Sequence, residues 1–194
     1  VGQIMDENWF TDATISQKQF TKFETVVAKG IMNFSFDDNS KLGLIGELYV
    51  LDSILTLAPD SINRNTIVSS WQGHRTKSRD FIFEQHCIEV KSTTSNESTH
   101  HIHNLNQVDS IDDDGGITKL FLASIGIEFS ELGFSIPSVV ESIISKIPDS
   151  EVQNQFLHNV QKYGIHMIGY NHKVMNNWIQ FQDTHSINFE RYYE

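Results

Sequence analysis

Two segments separated by three residues, Arg79-Asp80-Phe81-Ile82-Phe83 and Cys87-Ile88-Glu89-Val90-Lys91-Ser92-Thr93, determine how the chain is best understood. Both are predicted strands, and side chains in a strand point alternately to opposite faces, so Glu89 and Lys91 share one face. A turn centred between residues 84 and 85 would place Asp80 directly opposite Glu89. Two carboxylates side by side on paired strands repel each other unless a positive group lies between them, and a divalent cation with oxygen ligands is the natural candidate.

Length and composition limit the fold. With 194 residues and 39% hydrophobic content, the chain is long enough to bury one full core. We therefore expect a single domain over residues 1–194, with its core at about residues 38–130, a helical entry before it and a helical extension after it. One cysteine rules out an internal disulfide framework and favours a reducing cytoplasm. No apolar run reaches membrane-spanning length, so we expect no membrane contact.

The charge balance restricts how the chain could bind nucleic acid. Its formal net charge of −11, from 14 Lys and Arg against 25 Asp and Glu, is the wrong sign for bulk attraction to phosphates. Any such contact must be local, assisted by metal or supported by a partner. Basic residues do concentrate just before Asp80, namely His74, Arg75, Lys77 and Arg79. A solvated loop explains them at least as well as phosphate contact does, but their position beside the acids makes Arg75, Lys77 and Arg79 the candidate nucleic-acid contacts.

Periodicity and breaker residues predict a mixture of helices and strands. The strongest helix runs from about Leu42 to Leu57 and ends before Pro59. Lys119–Ile127 is apolar on both faces, which is typical of a buried central strand. The other predicted elements are a helical segment within residues 1–37, an extended piece at 67–71, a short helix near 105–108, helices at 138–147 and 149–163, and strands at 165–170 and 178–181.

The strongest predicted helix carries an unusual acid. Glu47 shares a stripe with Leu44 and Leu51 at helical spacing, so its side chain should point inward. A buried carboxylate is costly unless it is hydrogen-bonded, ion-paired or bound to a metal. Gly43 and Gly46 each cost the helix about 1 kcal/mol relative to alanine, which indicates close packing of this turn against another element. Without the two strands, an acid at the edge of the core, satisfied by one backbone group, would be the better interpretation.

Glu47, Asp80, Glu89 and Lys91 together match the needs of metal-dependent phosphodiester hydrolysis. The acids would hold one or two Mg²⁺ ions, which polarise the phosphoryl group and make the attacking water more acidic. Lys91 would position that water or stabilise the transition state. The alternative for Lys91 is a plain ion pair with Glu89, which contributes little to stability.

Four short motifs follow one another along the chain: Gly43-Leu44-Ile45-Gly46-Glu47-Leu48, Trp71-Gln72-Gly73, Asp80-Phe81 and Ile88-Glu89-Val90-Lys91-Ser92-Thr93. With these motifs the chain resembles the PD-(D/E)xK nuclease superfamily over roughly residues 41–140. More narrowly, it is similar to bacterial restriction- and defence-associated proteins of that superfamily. It departs from the pattern at Arg79, which occupies the place of the motif's proline.

The resemblance implies a fold and a set of site residues. The fold is an α/β core, a mixed central sheet of about four strands flanked by helices. The resemblance makes Asp80, Glu89 and Lys91 the metal-site triad. Glu47 would be a supporting helical acid that also faces the metal, and Gln107 a polar residue near the scissile phosphate.

Other residues invite competing interpretations. His100, His101 and His103 could suggest zinc, but adjacent loop histidines are more often solvated and no cysteine accompanies them. Trp71 could stack on a base, although a tryptophan after an apolar stretch is more often packed in the core. Cys87 lacks a nearby base in sequence, which argues against a nucleophile.

We therefore expect a Mg²⁺-dependent endonuclease, able to use Mn²⁺ as well, that cuts DNA as the effector of a bacterial restriction or phage-defence system. Partner subunits or a homodimer would complete such a complex. The rival interpretation, motivated by the net charge of −11, is a non-catalytic subunit that keeps the nuclease fold for assembly or DNA clamping. A metal-dependent enzyme acting on a small phosphorylated substrate is a third.

Overall fold

A mixed sheet of four strands lies at the centre of the computed structural model, which describes residues 38–73, 75, 79–100, 119–163 and 170–194. The strands are β1 (Phe81–Ile82), β2 (His86–Thr93), β3 (Lys119–Phe134) and β4 (His185–Tyr193). They lie in the order β1-β2-β3-β4; only the β2–β3 pair is parallel, and the other two pairs are antiparallel. The predicted α/β class with a mixed central sheet is confirmed.

Five helices accompany this sheet in the part of the chain that the structure describes. They are α1 (Asp38–Leu57), α2 (Ser61–Ser70), α3 (Ile136–Lys146), α4 (Ser150–Gln161) and the short α5 (His172–Met175). Leu44, Leu48, Leu51 and Leu55 of α1 are fully buried. Their spacing of three and four residues puts them on one side of α1, which packs on β2 and α3. The helix predicted from about Leu42 to Leu57 is confirmed.

The central strand and the two later helices follow the predictions. β3 is paired on both sides, and its middle, including Ala123, Ile125 and Ile127, is buried. The strand is longer than predicted because it continues past residue 127 to Phe134. Ser135 caps α3 in a capping box with Ser138, which sets where that helix begins.

Two predicted extended segments are wrong. Residues 67–70 belong to α2, because Asp60 caps that helix by accepting a 2.9 Å hydrogen bond from the Asn63 backbone N–H, and only Trp71 forms an isolated bridge to Phe81. Residues 179–181 form a 3₁₀ turn rather than a strand. The last strand is β4 instead.

Several predictions fall on other parts of the chain. The helical entry within residues 1–37, the short helix near residue 105 and most of the strand predicted at 165–170 lie outside the described residues. The described residues all lie within one compact unit, Phe36–Glu194, and the single domain over the whole chain stays a prediction. Within the part of the chain that the structure describes, no helix is long and apolar enough to span a bilayer.

Candidate active site

Glu47 lies in the core, as its helical position predicts. Its side chain is 5% exposed, and both carboxylate oxygens accept hydrogen bonds. The Trp71 indole N–H donates to Oε2 at 2.8 Å, and the Tyr163 hydroxyl donates to Oε1 at 2.6 Å. The carboxylate is therefore held in one orientation by two rigid aromatic donors. The acid-at-the-edge interpretation, with a single backbone partner, is wrong.

Three glycines make room for this arrangement. A Cβ at Gly46 would overlap Ser92 on β2, and a Cβ at Gly43 would lie 2.8 Å from the Tyr163 hydroxyl oxygen. A Cβ at Gly73 would overlap the Glu47 carboxylate itself. The Gly-x-x-Gly-Glu and Trp-Gln-Gly motifs thus belong to one packing unit, in which small residues allow α1 and the Trp71 segment to close around the acid.

The predicted hairpin register is confirmed. Phe81 pairs with Ile88 and Ile82 with Cys87, so the same register carried one residue further sets Asp80 opposite Glu89. Asp80 is half-buried, and its Oδ2 accepts a 2.7 Å hydrogen bond from the backbone N–H of Val90. That bond ties the carboxylate of Asp80 to β2 at Val90, the residue that follows Glu89.

Glu89 and Lys91 lie on the same face of β2, as strand alternation predicts. The Lys91 ammonium contacts Glu89 Oε1 at 2.7 Å, with Glu89 buried and the lysine side chain 20% exposed. This pair satisfies the ion-pair interpretation, yet it also fixes the ammonium beside the acids. Strand alternation and the ion pair together thus place the Lys91 ammonium next to Glu89.

Burial and mutual repulsion shift the proton affinities of two acids. Burial, opposed by hydrogen bonds from Tyr163 and Trp71 and reinforced by repulsion from Glu89, raises the pKa of Glu47 to about 7. Burial is also the main reason that the pKa of Asp80 lies well above its usual range, followed by repulsion from Glu47 and Glu89. Lys91 lowers the pKa of both acids. Three carboxylates thus share one neighbouring ammonium, which leaves uncompensated negative charge at this site when all of them are ionised.

The chemistry of these donors fits a hard divalent cation. Carboxylate oxygens are the ligands that Mg²⁺ and Mn²⁺ prefer, and a cation would relieve the repulsion among the acids. Among the residues that the structure describes, however, no three His, Cys, Asp or Glu side chains form a group arranged to hold a metal ion. Each acid instead faces a protein donor: Glu47 faces two aromatic side chains, Asp80 a backbone N–H, and Glu89 the ammonium of Lys91. Asp80 and Glu89 could act as direct ligands after a rotamer change, and Glu47 through a water.

Two of the remaining predicted site residues lie in the part of the chain that the structure describes. Arg75 is exposed and Arg79 is half-buried, immediately before Asp80. Lys77, His74 and Gln107 lie outside the described residues, and so do His101 and His103.

Two alternatives to core packing find no support in the burial of the side chains. Trp71 is fully buried and stacks on Tyr163, with ring centroids 6.4 Å apart, so it is a core residue rather than a base platform. Cys87 is buried on β2.

Tyr163 is the residue at this site that the sequence did not reveal. It lies 116 residues after Glu47, and no spacing rule connects them. A second group that was missed is the polar network of Ser98, His100 and Ser124. His100 is half-buried, and its Nε2 lies 2.6 Å from the hydroxyl of the fully buried Ser124, the β3 neighbour of Lys91.

The chain matches a known protein family over most of its length. Residues 17–185 match the family model described as "Putative PD-(D/E)XK family member, (DUF4420)". This match covers most of the chain and includes all four candidate site residues on α1 and β1–β2. No curated protein and no solved structure matches the chain.

Proposed function

The chain belongs to the DUF4420 family of PD-(D/E)XK proteins, and we propose that it is a Mg²⁺-dependent endonuclease that hydrolyses DNA phosphodiester bonds. The observation that carries the proposal is that Glu47, Asp80 and Glu89, from three separate parts of the fold, lie close enough to repel one another, with the Lys91 ammonium paired to Glu89. A structural role alone gives no reason for gathering three repelling acids, because each one costs stability when buried.

Each residue has a distinct task in this proposal. Asp80 and Glu89 would hold the ion directly, and Glu47 would bind a water of its hydration shell while Trp71 and Tyr163 keep its orientation. The bound ion would supply Lewis-acid activation of the phosphoryl group and charge neutralisation. Lys91 would orient the attacking water and stabilise the negative charge that develops on the phosphate oxygens.

The rival proposal is a non-catalytic subunit that clamps DNA or serves assembly. The net charge of −11 favours it, because an isolated enzyme of this charge has little long-range attraction for DNA. The two proposals make different predictions about the acids: only catalysis requires Glu89 once the fold is formed.

A cleavage assay separates them. Supercoiled, linear and single-stranded DNA would each be incubated with the purified chain in Mg²⁺, Mn²⁺ or EDTA. We expect cleavage with either ion, none in EDTA, and a loss of at least a hundredfold in Glu89→Gln. Glu128→Gln is the matched control, since this acid is exposed on β3 and loses the same charge. Metal-independent cleavage, or equal activity in the two variants, would contradict the proposal.

We further propose that the chain acts as the effector of a bacterial restriction or phage-defence system, together with partner subunits or as a homodimer. The resemblance to restriction- and defence-associated proteins supports this setting. Phage plating on bacteria that express the wild type or Lys91→Ala would test it. Protection by the wild type alone is expected, and equal plating on both strains would contradict it.

A further inference from the structure

The face of the sheet that carries Lys91 continues across β3 onto β4. Directly paired residues of neighbouring strands point to the same side of a sheet. The register pairs Lys91 with Ser124, and Ser124 with Arg191. Arg191 therefore lies two strands from Lys91 on the same face, with about 10 Å between the two backbones. The neighbouring row of paired residues on this face runs from Glu89 through Leu122 to Tyr193.

A polar network is centred on Ser124, the middle residue of the row from Lys91 to Arg191. The Ser98 hydroxyl donates to Ser124 Oγ at 2.6 Å, and the Tyr193 hydroxyl donates to Ser98 Oγ at 3.3 Å. His100 contacts the same Ser124 hydroxyl. The hydrogen bonds that Tyr193 makes with Ser98 and with Arg191 lower its pKa, so the guanidinium also takes part in this network. The side chains that contact the buried Ser124, between Lys91 and Arg191, are thus polar rather than apolar.

The Arg191 side chain packs on the aromatic ring of Phe189. Gly126 has no Cβ, and the ring of Phe189 occupies the space where one would lie. The Arg191 guanidinium lies over that ring, with its Cζ 4.7 Å from the ring centroid. Arg191 nonetheless remains exposed. This stack holds a permanent positive charge above the face of the sheet that carries Lys91.

We propose that Arg191 is a positioning residue that binds a backbone phosphate of the nucleic-acid strand whose scissile phosphate lies at Lys91. This inference rests on the proposed nuclease function and specifies its substrate as a strand longer than a mononucleotide. A strand longer than a mononucleotide carries further backbone phosphates on either side of the scissile one, and Arg191, about 10 Å from Lys91 across the sheet, is placed to contact one of them. The guanidinium fork matches the geometry of a phosphate, and a chain with net charge −11 depends on such local contacts.

The experiment compares Arg191→Ala, Arg191→Gln and Arg191→Lys with the wild type. Binding of a fluorescent 20-nucleotide duplex would be measured by anisotropy in EDTA at several salt concentrations, and single-turnover cleavage in Mg²⁺ at increasing protein concentration. Lys119→Ala is the matched control, because Lys119 is exposed at the start of β3, points to the opposite face and is paired with Glu194. Its loss changes the net charge by the same amount.

We expect Arg191→Ala and Arg191→Gln to weaken binding about fivefold and to reduce the slope of log K against log salt by about 0.9. The cleavage rate at saturating protein should stay within twofold of the wild type, and Arg191→Lys should recover most of the affinity. Affinity and salt slope equal to those of Lys119→Ala would overturn the inference, as would wild-type protein that does not bind the duplex at all. If the wild type cleaves DNA and Arg191→Ala binds the duplex with unchanged affinity and salt slope, this inference alone is refuted. If the wild type does not cleave DNA, the proposed function is refuted.

Discussion

Replacing Glu47 with glutamine should make the metal-free protein more stable at alkaline pH. The pKa of Glu47 is about 7 in the folded chain, against 4.5 for an unperturbed glutamate. Between these values the folded state keeps a proton that the unfolded state has lost, so stability falls as the pH rises through this window. The difference between the two pKa values, at 1.36 kcal/mol per pKa unit, corresponds to a loss of about 3 kcal/mol in the free energy of unfolding once the pH is above both values.

Glutamine suits the same position. Its oxygen can accept the hydrogen bond from the Trp71 indole, and its amide N–H can donate to the Tyr163 hydroxyl oxygen, so neither aromatic partner is left unsatisfied. The variant therefore loses the buried charge without losing its contacts. We expect a gain in the free energy of unfolding of about 3 kcal/mol at pH 8 and of less than about 1 kcal/mol at pH 5.

The measurement is urea unfolding in EDTA, followed by tryptophan fluorescence at pH 5, 6, 7 and 8. Glu128→Gln serves as the control, because an exposed acid should not change the pH dependence. Identical pH dependence in Glu47→Gln and the wild type would refute the reasoning. So would a variant that is less stable than the wild type at pH 8 yet retains full cleavage activity, since Glu47 would then be a structural residue only.

Three further predictions concern the same site. Calorimetry should detect Mg²⁺ or Mn²⁺ binding to the wild type and none to Asp80→Asn, because the inferred pairing places Asp80 and Glu89 about 5 Å apart at Cβ; unchanged binding would remove Asp80 from the metal site. Gly73→Ala should cost about 1–3 kcal/mol in urea unfolding, since its methyl group would displace the Glu47 carboxylate, and a neutral effect would show that the segment can move aside. The chain alone should bind DNA weakly and lose that binding steeply with salt, and tight binding in EDTA at physiological salt would contradict this.

The parts of the fold that the sequence predicts are those governed by local periodicity. The stripe of α1, the apolar β3 and the alternating β2 each carry their own signal, and the hairpin register follows from a short turn. β4 was missed because polar Asn188, Glu190 and Arg191 interrupt it, so its pairing with β3 depends on contacts across the sheet. The extended segment predicted at residues 67–70 is wrong because Asp60 caps a helix that continues through these residues.

The candidate site was predictable to a similar extent. Asp80, Glu89 and Lys91 follow from strand alternation, and the inward direction of Glu47 follows from the helical stripe. What holds Glu47 in place could not be predicted, because Tyr163 reaches it from the far end of α4 and Trp71 from the end of α2. Such contacts between distant segments leave no pattern in a single sequence.

The most direct test of catalysis at this site is the rate of Mg²⁺-dependent DNA cleavage by Lys91→Ala, set against Lys146→Ala. The two lysines are closely matched: their side chains are 20% and 22% exposed, and they pair with acids at 2.7 and 2.6 Å. Only Lys91 lies beside Asp80 and Glu89. We predict that Lys91→Ala loses at least about a hundredfold in cleavage rate with the fold intact by circular dichroism, and that Lys146→Ala retains wild-type activity. Wild-type cleavage by a folded Lys91→Ala variant would contradict catalysis at this site.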